Sequence, residues 1–181
     1  MLYKAVVADD ERIIRESLRD FINWEDIGLE VVKLCSDGKE VIQFLKDNPV
    51  DLILTDIKMV NVSGLEVAKY VFENKMKAKI ILLSGYKEFD FAIEAMKYGV
   101  NHYILKPTDI DKLEDIIKDV KCQIDKEREW DLDQMNLQPL LREQFFLELF
   151  MGAVNDKNYI REKIKRLYPE WDADKISCFT V

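Results

Sequence analysis

Cysteine and histidine are scarce in this sequence, and the few that occur are scattered. The cysteines are Cys35, Cys122 and Cys178, none of them in a Cys-x-x-Cys pair, and His102 is the only histidine. Disulfide frameworks and zinc sites need such residues at close, regular spacings, so the sequence argues against both. An odd, dispersed set of thiols is typical of a reducing compartment. We therefore expect a cytoplasmic protein.

Long apolar runs and an excess of positive charge are also missing. No run approaches the roughly 20 residues of a membrane-spanning helix, and no apolar signal region precedes the first strand. No membrane partner is expected. The 27 basic and 35 acidic residues give a net charge of −8, which is the opposite of the basic footprint of nucleic-acid binders. We do not expect this stretch of chain to hold DNA by itself.

The first 120 residues alternate short apolar runs with amphipathic helical patterns. This alternation predicts right-handed βαβ crossovers, and five such units match a flavodoxin-like, doubly wound, five-stranded parallel sheet. The central run, 50–55, is continuously apolar and is predicted to be covered on both faces. The predicted strands are 3–8, 29–34, 50–55, 80–83 and 102–105, and the predicted helices are 12–22, 39–45, 65–72, 89–98 and 110–120.

The pattern changes after Val120. Residues 121–138 are charge-rich with sparse apolar positions, which indicates a helical linker, and Pro139 suits the first turn of a new helix. Asp156 is a candidate N-cap for a helix over 159–167, and residues 176–181 are predicted to form a strand. Because two helices and a strand cannot close a core, we expect one complete domain over 1–122, a linker over 123–138 and the start of a truncated domain over 139–181.

Chemistry-bearing residues follow the predicted strands. Carboxylates Asp9 and Asp10 follow the first strand and Asp56 follows the third, at the edge where doubly wound sheets bind ligands. Two such charges about 4 Å apart repel by roughly 4 kcal/mol at an effective dielectric of 20, so the cluster needs a cation or must share protons. An oxygen-rich site with room for water suits Mg²⁺. With the hydroxyl of Ser84 and the ammonium of Lys106, the set is what phosphoryl transfer to Asp56 requires.

Four segments carry a family resemblance, and all of them occur in order at suitable spacing. The segments are Ala8-Asp9-Asp10-Glu11, Thr55-Asp56-Ile57-Lys58-Met59, Leu83-Ser84-Gly85-Tyr86 and Tyr103-Ile104-Leu105-Lys106-Pro107. They resemble the receiver domain of two-component response regulators over roughly residues 1–122. The segment Phe21-Ile22-Asn23-Trp24-Glu25 and the residues after 140 are similar to a narrower group whose output is an AraC-type helix-turn-helix. That output is absent from this sequence.

The resemblance implies specific roles. Asp56 would accept a phosphoryl group from a sensor histidine kinase, and Mg²⁺ would be bound by Asp10, Asp56 and the backbone carbonyl of Lys58, with Asp9 acting through water. Ser84 and Tyr103 would form the switch pair, in which the hydroxyl moves to the phosphoryl group and the ring turns inward. Lys106 would bond a phosphoryl oxygen, and its peptide bond to Pro107 would be cis. Phosphorylation-dependent homodimerisation and control of transcription through the missing output domain would follow.

Two departures from the family pattern and three rival functions remain. Val60 stands where the family usually has proline, and Ser63 replaces a common aspartate, so the loop after Asp56 is expected to be less rigid. An aspartate-nucleophile phosphohydrolase would usually place a carboxylate where Lys58 stands. A flavin or nucleotide binder would need a glycine-rich loop after the first strand, where only Asp9 and Asp10 occur. A degenerate receiver that acts as a phosphorylation-independent docking module is the third alternative.

Overall fold

The computed structural model describes residues 2–85, 89–107, 109–154, 156–168 and 171. The chain divides into two compact units, Met1–Asp125 and Lys126–Val181. The predicted strand over 176–181 and the residue Tyr86 lie outside the described residues. None of the helices in the described ranges is both long enough and apolar enough to cross a bilayer.

The first unit is built on a five-stranded sheet in the order β2-β1-β3-β4-β5, and every neighbouring pair is parallel. Because β1 lies between β2 and β3, the chain reverses its direction of winding after β2, which is the doubly wound topology. The predicted fold class is confirmed. The strands are β1 (Tyr3–Ala8), β2 (Leu29–Cys35), β3 (Leu52–Asp56), β4 (Lys79–Ser84) and β5 (His102–Leu105).

Helices connect these strands and continue beyond the sheet. The helices predicted over 12–22, 39–45, 65–72, 89–98 and 159–167 are present with ends shifted by one or two residues, whereas the helix predicted over 110–120 continues far beyond Val120. The structure adds one short helix that the sequence pattern did not predict. The helices are α1 (Arg12–Phe21), α2 (Trp24–Ile27), α3 (Gly38–Asp47), α4 (Gly64–Glu73), α5 (Phe89–Lys97), α6 (Ile110–Phe150) and α7 (Lys157–Leu167).

Two apolar cores lie on opposite faces of the sheet. One contains Leu52 and Leu54 of β3 and packs against α1, α2 and the first part of α6. The other contains Ile53 and packs against α3, α4 and α5. All five residues of β3 are buried, so this strand is covered on both faces as its continuous apolar run predicted.

The short helix α2 closes the first core. Trp24 is 5% exposed, and its indole Nε1 donates a hydrogen bond to the carbonyl oxygen of Leu18 at 3.0 Å. Gly28 ends the helix at φ 91°, a left-handed conformation that glycine adopts without strain. The four-residue helix is too short for a periodic pattern to reveal, and the tertiary contact of Trp24 stabilises it.

The prediction that a new helix begins at Pro139 is wrong. Pro139 lies inside α6, which runs unbroken from Ile110 to Phe150. A proline removes one backbone hydrogen bond and costs about 3 kcal/mol in a helix interior. The preceding segment is rich in Glu, Lys, Asp, Arg and Gln, several of which are strong helix formers, and it continues the helix to the proline from the N-terminal side.

The second unit, taken by itself, has a small core. Phe145 of α6 packs with Ile160, Ile164 and Leu167 of α7. The carboxylate of Asp156 accepts hydrogen bonds from the backbone N–H groups of Asn158 and Tyr159, so the predicted N-cap of α7 is confirmed. Other apolar residues in the last part of α6, among them Leu140 and Phe150, are exposed.

Candidate functional site

The carboxyl ends of the parallel strands bring the predicted residues to one edge of the sheet. Ala8 at the end of β1 pairs with Thr55 of β3, and Asp56 pairs with Leu83 of β4. Ser84 in turn pairs with Leu105, the last residue of β5. The residues that follow these positions, Asp9, Asp10 and Lys106, therefore start from the same edge as Asp56 and Ser84.

Lys106 joins two buried carboxylates at this edge. Its Nζ lies 2.8 Å from Oδ1 of Asp56 and 2.6 Å from Oδ2 of Asp9. Asp9 is fully buried and Asp56 is 8% exposed. Two carboxylates this close would repel strongly without a cation between them. The ammonium offsets that repulsion, yet it leaves one uncompensated negative charge in the site.

The pKa values of this pair reflect burial and charge together. Burial raises the pKa of Asp56 above its ordinary value, and the charges of Asp9 and Asp10 add to this, while the hydrogen bond and charge of Lys106 oppose it. Burial alone would lower the pKa of Lys106, but its bonds to Asp56 and Asp9 outweigh burial and raise it. Lys106 is therefore a permanent cation, and the Asp56 carboxylate is less well solvated than a surface one.

Asp9 is held in place from several directions. Its Oδ1 accepts a hydrogen bond from the N–H of Glu11 at 3.0 Å, and its own N–H donates to the carbonyl oxygen of Cys35 at 3.2 Å. The guanidinium of Arg15 donates to the Asp9 carbonyl oxygen. With Oδ2 on Lys106, both carboxylate oxygens of Asp9 are engaged by the protein.

The other predicted residues surround this ion pair. Asp10 is exposed to solvent, and its charge acts on Asp56. Ser84 is 3% exposed at the end of β4, and Tyr103 is half-buried against the core beneath α4 and α5. The Lys106–Pro107 peptide bond is cis, as the resemblance implied.

The loop after Asp56 extends from Ile57 to Ser63. The side chain of Lys58 is exposed, with its Nζ 5.4 Å from the ring centroid of Phe91, and Val60 is also exposed. Ser63 caps α4 in a reciprocal capping box with Glu66, so the serine that stands in place of the usual aspartate has a local role. The spacing Ser-x-x-Glu before an apolar run is the sequence signal of this cap.

Gly64 allows the start of α4 to approach the phosphoacceptor candidate. A Cβ at this position would lie 2.2 Å from the carbonyl oxygen of Asp56, a distance that no real side chain tolerates. The N–H of Gly64 also donates to the carbonyl oxygen of Ile57 at 2.9 Å. A glycine is required here because of close backbone approach rather than because of its φ value.

The oxygen atoms at this edge are suited to Mg²⁺. Among the described residues, no three acidic, histidine or cysteine side chains lie close enough to hold a metal ion by themselves. Mg²⁺ does not require this, since it usually keeps several waters and is bound by one or two carboxylates with substrate phosphate oxygens. Asp10 and Asp56, with a main-chain carbonyl from the loop, are an all-oxygen set of that kind. The residues present fit the ion.

Comparisons with known proteins agree with this geometry. Residues 5–118 match the family model described as the response regulator receiver domain. The chain is 40% identical over 126 residues to the uncharacterized transcriptional regulatory protein YesN of Bacillus subtilis, covering 67% of this chain and 34% of YesN. It is 32% identical over 116 residues to the transcriptional regulatory protein HptR of Staphylococcus aureus, covering 64% of this chain and 45% of HptR. The chain thus spans less than half the length of these relatives.

Solved structures show the same fold. The receiver domain of AraT, a response regulator from Geobacillus stearothermophilus, superposes with a TM-score of 0.66 at 37% identity, covering 71% of this chain and 99% of that one. A CheX–CheY–BeF3–Mg²⁺ complex from Borrelia burgdorferi matches with a TM-score of 0.58 at 22% identity, covering 65% and 88%, which shows the fold alone. A family model that matches most of the chain, together with an acidic edge formed by the ends of β1 and β3, establishes that this chain belongs to the response regulator receiver family.

Proposed function

We propose that Asp56 accepts a phosphoryl group from a phosphohistidine of a sensor kinase and that this modification switches the receiver. The contact of the Lys106 ammonium with both Asp56 and Asp9 is the observation that carries the proposal. In the transfer, a carboxylate oxygen of Asp56 bonds to phosphorus, the phosphorus–nitrogen bond of the donor breaks, and the departing imidazole takes up a proton. Asp9 and Asp10 stay in place around the reacting carboxylate.

Asp10, Asp56 and the backbone carbonyl of Lys58 would hold Mg²⁺, with Asp9 acting through water. When bound, the ion would neutralise charge on the phosphoryl oxygens. The chain's own residues do the remaining work. Burial of Asp56 limits its solvation, and Lys106 can follow the negative charge as it moves from the carboxylate to a phosphoryl oxygen.

The switch would use residues already at the edge. Ser84 would donate its hydroxyl to the phosphoryl group, and Tyr103 would turn further into the core that it borders. A charge-assisted hydrogen bond contributes about 1.5–3 kcal/mol, which is what the bond from Ser84 could supply. Lys106 is already bonded to Asp56 before phosphorylation, so it adds only the difference between that bond and its bond to the phosphoryl oxygen. Shifting a two-state equilibrium from 1:99 to 99:1 needs about 5.5 kcal/mol, so the inward turn of Tyr103 and the Mg²⁺ contacts would have to supply the rest.

The receiver would control transcription through a part of the protein that lies outside this chain. Residues 1–122 would be the receiver, 123–138 a helical linker and 139–181 the start of a middle domain that precedes an AraC-type DNA-binding output. Phosphorylation would favour a homodimer. The name "transcriptional regulatory protein" belongs to YesN and HptR, and its extension to this protein is part of the proposal.

A phosphohydrolase is a less favoured function than a phosphoacceptor. The exposed Lys58 stands two residues after Asp56, where a carboxylic acid would be needed to protonate a leaving group. We propose that the protein catalyses only its own phosphorylation and slow dephosphorylation, and that it turns over no other substrate.

Chemical mapping of the acceptor tests the proposal. After incubation with acetyl phosphate and Mg²⁺, an aspartyl phosphate is reduced by borohydride to homoserine, which peptide mass spectrometry locates. We expect homoserine at position 56 alone. Its absence, or its appearance at Asp9 or Asp10 instead, would contradict the proposal, and a protein that stays unmodified would favour the docking-module alternative.

A further inference from the structure

The carboxylate of Asp37 is hydrogen-bonded to the loop that follows Asp56. No sequence motif predicted a role for this residue. It stands at the N-cap of α3 and is 7% exposed. Its Oδ1 accepts a hydrogen bond from the N–H of Lys39 at 2.8 Å. Its Oδ2 accepts from the backbone N–H of Asn61 at 2.7 Å, from the Asn61 side-chain amide at 3.3 Å and from the N–H of Val62 at 3.3 Å. One carboxylate therefore both caps a helix and holds the loop.

The neighbouring glycine tightens this junction. The N–H of Gly38 donates to the carbonyl oxygen of Val62 at 3.1 Å. A Cβ on Gly38 would lie 2.5 Å from that oxygen. The start of α3 and residues 61–62 of the loop are thus in direct backbone contact.

The beginning of the loop is fixed separately. The N–H of Ile57 donates to the carbonyl oxygen of Leu83 at 2.9 Å, and the carbonyl oxygen of Ile57 accepts from the N–H of Gly64 at 2.9 Å. Lys58, Met59 and Val60 connect the two fixed points, and the sulfur of Met59 also accepts a weak hydrogen bond from the Thr55 hydroxyl at 4.0 Å. Since three residues have little freedom between two anchored ends, the position of the Lys58 main chain depends on the anchor that Asp37 supplies.

We infer that Asp37 is a positioning residue for the Mg²⁺ site, acting through the loop to place the backbone carbonyl of Lys58 beside Asp56. The inference rests on the proposed function, which gives that carbonyl its role. Residues that orient a metal ligand without touching the metal commonly change metal affinity by about 10–100-fold when they are removed.

The charge of Asp37 is consistent with this role. Burial would raise the pKa of its carboxyl group, but the hydrogen bonds from the backbones of Lys39, Asn61 and Val62 and from the Asn61 side chain outweigh burial and lower it. The carboxylate is thus ionised at neutral pH, and its hydrogen bonds to the loop are of the stronger, charge-assisted kind.

The test separates the loop contact from the helix cap. In Asp37→Ser, the hydroxyl can still cap α3, since serine is a favoured N-cap residue, but it is too short to reach Asn61 and Val62. Asp156→Ser is the matched control, because Asp156 caps α7 in the other compact unit and bonds the N–H groups of Asn158 and Tyr159. Asp37→Asn keeps the size of the side chain and removes its charge.

The measurement is the Mg²⁺ dissociation constant of the unphosphorylated protein, determined by isothermal titration calorimetry, with thermal unfolding to verify that each variant is folded. We expect about 10-fold weaker binding in Asp37→Ser, a smaller loss in Asp37→Asn and no change in Asp156→Ser. If Asp37→Ser does not fold, the Mg²⁺ affinity of Asp37→Asn tests the inference. An unchanged Mg²⁺ affinity in that variant overturns it.

Measurement of the intact mass distinguishes failure of the positioning role of Asp37 from failure of the proposed function. If the wild type takes up a phosphoryl group on Asp56 while all folded variants bind Mg²⁺ equally, the positioning role of Asp37 is wrong and the proposed function stands. If the wild type takes up no phosphoryl group, the proposed function is wrong. Absence of Mg²⁺ binding by the wild type also overturns the inference.

Discussion

Lys106 lies with its Nζ 2.8 Å from Oδ1 of Asp56, between that carboxylate and the buried carboxylate of Asp9. One ammonium thus forms ion pairs with two carboxylates that lie at the ends of different strands. The contact fixes the end of β5 to the ends of β1 and β3, and it stabilises the site electrostatically in the unphosphorylated state. A phosphoryl group on Asp56 would change the charge that Lys106 faces, which links the chemistry at β3 to the position of β5.

Replacement of Lys106 by methionine should destabilise the fold strongly. The change leaves two buried carboxylates without their cation, and breaking a buried ion pair by removing one partner costs about 3–5 kcal/mol. Lys118→Met is the control, because Lys118 is half-exposed and pairs with Glu114 and Asp115 on the helix surface, where such pairs contribute less than about 1 kcal/mol. Urea denaturation measures both. Equal losses in the two variants would contradict the structural account of Lys106.

Asp56→Asn should stabilise the unmodified protein at neutral pH. The pKa of Asp56 is raised chiefly by burial, against the effect of Lys106, so the folded state holds this proton more tightly than the unfolded state. The stability contributed by Asp56 is then fully present below its unfolded pKa and is lost as the pH rises through its folded pKa. An uncharged asparagine avoids that loss and balances Lys106 against Asp9 alone.

The expected gain is of the order of 1 kcal/mol at pH 7, or about 2–4 °C in Tm for a chain of this size, and it should shrink on acidification towards the ordinary carboxyl range. Thermal unfolding in the presence of a chelator measures it. Asp20→Asn provides a control of opposite direction, because the hydrogen bond from Arg19 lowers the pKa of Asp20. A gain at Asp56 that grows as the pH falls would be inconsistent with this assignment.

Gly64→Ala should lower the stability of the receiver. The new Cβ would lie 2.2 Å from the Asp56 carbonyl oxygen, and relieving such a clash typically costs about 1–3 kcal/mol or somewhat more. The matched change Gly85→Ala places its Cβ in open space and should be nearly neutral. Chemical denaturation of the pair is the measurement, and similar values for both would count against the close approach of α4 to Asp56.

Trp24→Ala should cost about 3–5 kcal/mol, because the indole is buried in the core and its Nε1 is bonded to Leu18. Trp130 is 67% exposed, and its replacement by alanine should change the free energy of unfolding by less than about 0.5 kcal/mol. Comparing the two variants tests whether the sequence Asn23-Trp24-Glu25 has a structural role. A large effect at Trp130 would contradict the burial pattern.

The sequence predicted the sheet and most of the site because each depends on local pattern and strand order. The continuous apolar run before Asp56 predicted a buried strand, and the rule that parallel strands end at one edge placed Asp9, Asp56, Ser84 and Lys106 together. The contacts of Lys106 with both carboxylates follow from that edge, although their distances do not.

The remaining features depend on tertiary packing, on competing local preferences or on contacts between distant parts of the chain. The helix α2 is stabilised by the packing of Trp24, and α6 continues through Pro139 although a local rule favours a break. Asp37 was not predicted to have a role, and its hydrogen bonds to Asn61 and Val62 join residues 24 and 25 positions apart. Neither hydrophobic periodicity nor a sequence motif predicts a contact of this kind.

The central claim is tested most directly by intact mass after incubation with acetyl phosphate, with and without Mg²⁺, for the wild type and for Asp56→Asn. The account predicts a single phosphoryl adduct on the wild type that requires Mg²⁺ and is absent from the variant. An adduct that persists in Asp56→Asn, or that forms equally well in the presence of a chelator, would contradict it.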